Sequence, residues 1–167
     1  MLNSGQGSRV SKRVPMTASG KIKLVEELTR LKAVERPKVV KEIEEARGHG
    51  DLSENAEYHA AKEKQGHIET RIRMLEDVVG RAEVVDLSKI DGSKVVFGVT
   101  VRLYDTDAEK ELRYKIVGEL EADISKGLIS ISSPIAKALI GKEAGDEVTV
   151  QTPGGSRELE IIEICLE

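Results

Sequence analysis

Asp51 and Glu54 are the residues of this 167-residue sequence best suited to chemistry. They stand three apart where a helical pattern begins, a spacing that brings both carboxylates to one side of a turn. Carboxylates are hard oxygen donors that suit a cation such as Mg2+, but two alone make a weak site. A firmly held ion would need further ligands from a partner. The same spacing fits a capping box, with Asp at the N-cap and Glu at N3, and acidic groups there also answer the positive helix end. Capping and chemistry stay open together at this point. His49, Glu57 and His59 lie nearby and invite a zinc reading. The His-Glu-x-x-His pattern that would support one is absent, so no protein-held zinc is expected.

The elements that must carry these residues form a helical hairpin over residues 16–80. Thr17 or Ser19 can cap a first helix with apolar positions at Leu24, Leu28, Leu31 and Val34. Pro37 lacks an amide hydrogen and should open a new segment or kink the old one. The stripe resumes at Val39 or Val40, then Ile43 and Ala46, and Gly48-His49-Gly50 stops it. A second pattern follows at Ala56, Ala60, Ile68, Ile72, Leu75 and Val79. From Glu54 to Val79 it would span roughly 39 Å. Glu42 with Arg36 or Lys38, and Glu69 with Arg73, read as ion pairs on solvated helix faces. Such a finger has no cavity for a small substrate; its tip is what reaches.

Residues 1–15 read as a disordered extension, 81–90 as a linker and 91–167 as a second domain. In the latter, Val99, Val101 and Leu103 alternate inward, and Leu112, Tyr114 and Ile116 return after the turn at Asp105-Thr106-Asp107. Ile129 and Ile131 mark a further strand. Ser133-Pro134 caps and opens a short helix, Ile135 to Ile140, ended by Gly141. Val148 and Val150, the turn Pro153-Gly154-Gly155, and Leu159, Ile161 and Ile164 complete a hairpin. About five antiparallel strands with one helix make this half α+β.

Composition narrows the function. The chain carries 26 basic and 30 acidic residues, a net charge of −4, with only one Phe, three Tyr and no Trp. Free duplex DNA binding wants a clustered positive excess, and base stacking wants aromatic platforms; neither is present. The charge is +3 over residues 1–15, −1 over 16–80 and −6 over 81–167. No apolar run approaches a membrane span, the first fifteen residues lack a signal-peptide core, and Cys165 cannot form an internal disulfide. A cytoplasmic protein is expected.

The run Glu45-Ala46-Arg47-x-His49-Gly50-Asp51-Leu52-Ser53-Glu54-Asn55-Ala56-Glu57-Tyr58-His59-Ala60-Ala61-Lys62-Glu63 closely resembles the tip of the Gre transcript-cleavage factors of bacterial RNA polymerase. The Ala60-Ala61-Lys62-Glu63 continuation is similar to the GreA branch. The likeness extends from Pro15-Met16-Thr17 onward. It recurs in Phe97-Gly98-x-Thr100-Val101, Ile116-Val117-Gly118-x-x-Glu121-Ala122-Asp123, Ile129-Ser130-x-x-Ser133-Pro134-Ile135-Ala136-x-x-Leu139-Ile140-Gly141-Lys142 and Thr152-Pro153-Gly154-Gly155.

The resemblance implies an N-terminal coiled-coil finger that enters the polymerase secondary channel and an FKBP-like C-terminal domain that docks at its rim. Asp51 and Glu54 would help hold a second Mg2+ shared with the polymerase, no cofactor being stably bound by the factor alone. The polymerase would then cleave backtracked RNA by two-metal chemistry. On this reading the chain is an accessory factor, not an enzyme. Arg47 and Lys62 match a basic patch that contacts the RNA 3′ end, and Asp123, Ser133 and Pro134 match a docking region. Ser53 departs from the Lys of many relatives, which reduces positive charge at the tip and leaves both carboxylates in place.

Two other functions fit parts of the pattern. A channel-binding inhibitor of the same fold would occupy the channel without promoting cleavage, and the retained Asp51 and Glu54 argue against it. A prolyl isomerase would need an aromatic-lined pocket, for which this half offers only Phe97, Tyr104 and Tyr114.

Overall fold

The computed structural model describes residues 12–50 and 55–166. Backbone contacts group them into two compact units, one containing Lys21–Ala82 and the other joining Pro15–Gly20 to residues 83–166. Of the extension expected to be disordered, residues 1–11 lie outside the described residues, while Val14 and Pro15 belong to strand β1 (Val14–Met16). The Val14 N–H donates to Arg81 O at 2.9 Å. β1 pairs with β2 (Ala82–Val84).

The helical unit is a hairpin. Its first arm is α1 (Ala18–Arg30), a π-helical turn (Leu31–Glu35) and α2 (Arg36–Arg47); its second is α3 (Ala56–Gly80). Thr17 caps α1, its Oγ1 accepting the Gly20 N–H at 3.0 Å. Val39, Ile68 and Ile72 form the buried seam, with Leu28 and Leu31 packed against it. Eight positions separate Leu31 from Val39, nearly one more than two turns at about 3.6 residues each. The π turn, where the Arg36 N–H reaches back to Leu31 O, absorbs the surplus, and Pro37 follows in the first turn of α2. Val39 therefore faces the seam fully buried, Val40 is 41% exposed and Val34, expected inside, is 52% exposed. On α3 the seam takes Ala61 rather than Ala56 or Ala60.

Ion pairs flank the seam and cross between the arms. Arg71 meets Glu27 at 2.7 Å, Arg36 meets Glu69 at 2.7 Å, Lys64 meets Glu42 at 3.1 Å, and Lys32 pairs with Glu76. Glu42 and Glu69 thus find partners on the facing helix, not the same-helix partners their local spacing suggests. The Arg36 guanidinium, bonded through Nε and Nη2, holds the Glu69 carboxyl below its ordinary value.

The C-terminal unit is a five-stranded sheet of β3 (Thr100–Asp105), β4 (Lys110–Val117), β5 (Leu128–Ser130), β6 (Glu147–Thr152) and β7 (Gly155–Cys165), in the order β5-β4-β3-β7-β6. With the single helix α4 (Pro134–Leu139) this is the expected α+β arrangement, with one correction. β5 runs parallel to β4, because the connection folds into two 3-10 turns, Glu119–Glu121 and Ile124–Lys126, and brings the chain back alongside β4. A register shift between β3 and β7 at Arg102/Leu103 inserts one extra residue in β7. It lets Ile161 and Ile164, three apart, face the side shared by Leu103 and Val101. The core joins these strands to Ala136 and Leu139 of α4.

Asp105 ends β3 on the same inward face and is 2% exposed. Its Oδ1 accepts the Asp107 and Ala108 N–H groups at 3.0 Å each, and its Oδ2 accepts Arg157 Nη2 at 2.7 Å. These bonds, the Ala108 amide first and Arg157 next, hold the carboxyl below its ordinary value. A lowered folded pKa gives stability that is present above about pH 4 and lost as the pH falls through the folded value. Asp105→Asn should therefore lower the melting midpoint at pH 7 by several degrees, with the difference from wild type shrinking below pH 4; equal melting at pH 7 would contradict this. In the hairpin, urea titration should show Ile72→Ala losing about 2–5 kcal/mol. Val34→Ala should stay within about 0.5 kcal/mol.

Candidate functional site

The tip of the hairpin is built from short side chains and caps. Buried Ala46 and Ala61 let the two arms approach closely. After Arg47 the chain turns, with the His49 N–H donating to Ala46 O at 3.1 Å and Gly50 at φ +108°, a conformation that favours glycine. Asp51 and Glu54 lie outside the described residues. The N-cap of α3 is Asn55, whose Oδ1 accepts the Tyr58 N–H at 3.0 Å and whose Nδ2 donates to Ala46 O at 2.6 Å. Asn55 thus caps α3 and also ties the second arm to the first; the capping box read at Asp51 and Glu54 falls outside the described residues. Asn is a favoured N-cap residue three before Tyr58, but the Asp51/Glu54 pair offers a competing cap just upstream.

Around this turn the side chains carry charge and one aromatic ring. The Arg47 guanidinium lies 5.9 Å from the Tyr58 ring centroid, within cation–π range. Tyr58 meets the His59 ring edge-on at 5.6 Å. His49 Nε2 is 3.9 Å from Glu57 Oε2. Lys62 is exposed and donates to Gln65 Oε1 at 3.2 Å. Arg47 and Lys62 therefore both reach solvent beside the tip, Arg47 with its planar face steadied by Tyr58. Among the described residues no three His, Cys, Asp or Glu side chains gather as a metal site.

Asp123 on one side and Ser133 and Pro134 on the other lie at opposite ends of the edge strand β5. Asp123 bridges to Leu128 through paired backbone bonds at 2.9 and 3.0 Å, and the Ser133 N–H donates to Ser130 O at 2.9 Å. Asp123 caps the second 3-10 turn, accepting the Ser125 hydroxyl at 2.5 Å and the Ser125 N–H at 3.1 Å. The hydroxyl first, then the amide and Lys126, keep its carboxyl ionised below the ordinary range, against a smaller opposing effect of burial. Ser133 caps α4 by accepting the Ala136 N–H at 3.2 Å, and Pro134 is exposed at the first helical position. Ile124, the first residue of the second 3-10 turn, is 68% exposed.

The aromatics of this unit do not line one pocket. Phe97 and Tyr114 pack against the core, while Tyr104 alternates with Leu103 onto the opposite face of β3. Among the described residues no helix is long and apolar enough to cross a membrane.

Two family models match the chain in order. The description "Transcription elongation factor, N-terminal" covers residues 14–84, and "Transcription elongation factor, GreA/GreB, C-term" covers residues 90–165. "Transcription elongation factor GreA" of Anaeromyxobacter sp. (strain K) is 61% identical over 149 residues, 89% of this chain and 90% of that protein. "Transcription elongation factor GreA" of Phenylobacterium zucineum (strain HLK1) is 60% identical over 152 residues, 91% of this chain and 97% of its own length. Among solved structures, GreA factor homolog 1 (Gfh1) of Thermus thermophilus is 30% identical, with 92% of this chain and 99% of that chain covered and a TM-score of 0.43. Matched by a family model in each half, the chain belongs to the GreA/GreB family of transcription elongation factors.

Proposed function

We propose that this chain acts on bacterial RNA polymerase, reaching its active site through the secondary channel and stimulating cleavage of backtracked RNA. The observation that supports this most is the tip sequence from Arg47 to Lys62, in a hairpin whose arms pack on each other along the Val39, Ile68 and Ile72 seam. Asp51 and Glu54 supply two hard oxygen donors, a set that fits Mg2+ but falls short of a full shell, so the polymerase must furnish the remaining ligands. When bound there, the ion supplies Lewis acidity for phosphodiester hydrolysis. Asp51 and Glu54 would help hold that ion and orient the attacking water. Arg47 and Lys62 attract the phosphates of the extruded RNA 3′ end. Asp123, Ser133 and Pro134, at the ends of β5, dock the FKBP-like C-terminal unit at the channel rim. The reacting bond sits in the polymerase, so the chain is an accessory factor and no enzyme by itself.

Two measurements on a stalled, backtracked elongation complex test this reading. Wild-type protein should accelerate RNA cleavage, and Asp51→Asn with Glu54→Gln should remove about 100-fold or more of that acceleration, roughly 3 kcal/mol of barrier. Absence of acceleration by the wild type would favour the channel-blocking alternative; full acceleration by the double variant would remove the two carboxylates from the mechanism. Arg47→Ala with Lys62→Ala should reduce cleavage about 3–10-fold and flatten its dependence on salt, since partly exposed charge contacts are screened. An unchanged salt dependence would count against their contact with RNA.

A further inference from the structure

We infer, resting on the function proposed above, that Asn55 is a positioning residue for cleavage, holding fixed the two chain ends between which Asp51 and Glu54 lie. One amide joins both arms of the hairpin. Its Nδ2 donates to Ala46 O in the last turn of α2 at 2.6 Å, and its Oδ1 accepts the Tyr58 N–H in the first turn of α3 at 3.0 Å. A carbonyl only accepts and a backbone N–H only donates, so the two partners set the orientation of the amide. Each partner is a group that its own helix leaves free, one at the end of α2 and one at the start of α3. The same Ala46 oxygen accepts the His49 N–H at 3.1 Å, which binds the turn to the same point.

Capping alone does not require asparagine. Serine or aspartate would accept the Tyr58 N–H about as well, but serine is too short for both tasks and an ionised aspartate has no donor. Buried Ala46 and Ala61 allow the close approach that the cross-arm bond needs. Two further contacts cross at the same level, Arg47 over the Tyr58 ring at 5.9 Å and His49 Nε2 at 3.9 Å from Glu57 Oε2. His49 and Glu57 are mostly exposed, so water screens their attraction, and the Asn55 amide supplies the direction. Asp51 is one peptide from Gly50 and Glu54 one peptide from Asn55, about 3.8 Å between Cα atoms in each case. Covalent geometry thus passes the placement of Gly50 and Asn55 to both carboxylates. About 1 Å of misplacement at a reacting centre suffices to cost on the order of 100-fold. Asn55 acts through Asp51 and Glu54, not on the RNA.

Two variants keep the cap and remove the tie. Asn55→Ser and Asn55→Asp each retain an acceptor for the Tyr58 N–H, and neither donates to Ala46 O. In the backtracked complex both should lower the cleavage rate at saturating factor by at least about 10-fold, with the half-saturating factor concentration changing by less than about 3-fold. The Mg2+ concentration for half-maximal cleavage should rise at least about 3-fold, because two misplaced donors hold the shared ion less well. Hydrogen exchange should find the Tyr58 amide still protected in both. Spin labels at Glu44→Cys and Glu63→Cys, exposed positions on the two arms, in a Cys165→Ser background, should give a broader distance distribution than in the parent. A wild-type saturating rate in either variant, a half-saturating concentration that rises in step with the loss, an unmoved Mg2+ requirement or an unbroadened distribution overturns the assignment. Loss of Tyr58 amide protection assigns the effect to capping and overturns it too. Asn55→Asp serves where Asn55→Ser fails to fold. Exchange and spin labels need no polymerase, so a wild-type factor that fails to accelerate cleavage removes the proposed function, while broadening still identifies Asn55 as the tie between the arms.

Discussion

A two-helix hairpin has one buried face, and most features of the helical unit follow from that limit. Only a narrow apolar line is available, so the residues beside it must be soluble yet still hold the arms in register. Glu27–Arg71, Arg36–Glu69 and Glu42–Lys64 do this by pairing across the seam. Arg71 and Arg36 use two nitrogens each, a geometry that fixes direction as well as distance. High charge content is therefore a condition of this architecture. It carries no message about nucleic acid by itself.

The C-terminal unit solves a different problem with an ordinary core. Val101, Leu103, Ile116, Leu159 and Ile161 are fully or nearly fully buried, and α4 closes over one face. Its polar features gather where the ladder ends. Asp105 closes β3 with Arg157, Asp123 and Ser133 bracket β5, and Glu121 holds the turn between β4 and β5. Carboxylates at strand ends satisfy backbone amides that the sheet leaves free. Of these, Asp123 and Ser133 are also the residues proposed to meet a partner.

Much of this could be read from the sequence, and what could not has a common cause. The hairpin, a cap at Thr17 or Ser19, the Ser133 cap and the inward alternation of β3 are local patterns, and local spacing reveals them. Choosing Val39 over Val40 needed the π turn, which no residue type announces. Choosing Ala61 over Ala60 needed the facing arm. Ion partners for Glu42 and Glu69, the parallel pairing of β5 and the hold of Glu121 on Thr17 all join residues far apart in the chain. A period or a motif carries no trace of them. At the tip, spacing alone left capping and chemistry open for Asp51 and Glu54 and only family likeness offers them a role, while Asn55 went unnoticed because residues upstream of it could also cap.

The π turn makes the first arm sensitive to length as well as to composition. Leu31 and Val39 share the seam at a separation of eight only because one turn is wide. Removing a single residue from Leu31–Glu35, Val34 for instance, would leave a separation of seven, the natural repeat of two facing helices, and the wide turn could relax to an ordinary one. The same deletion between Val39 and Ile43 would rotate everything beyond it by about 100° against α3, with no slack to take it up. This arm is thus built one residue longer than its packing requires, with the surplus stored at one place.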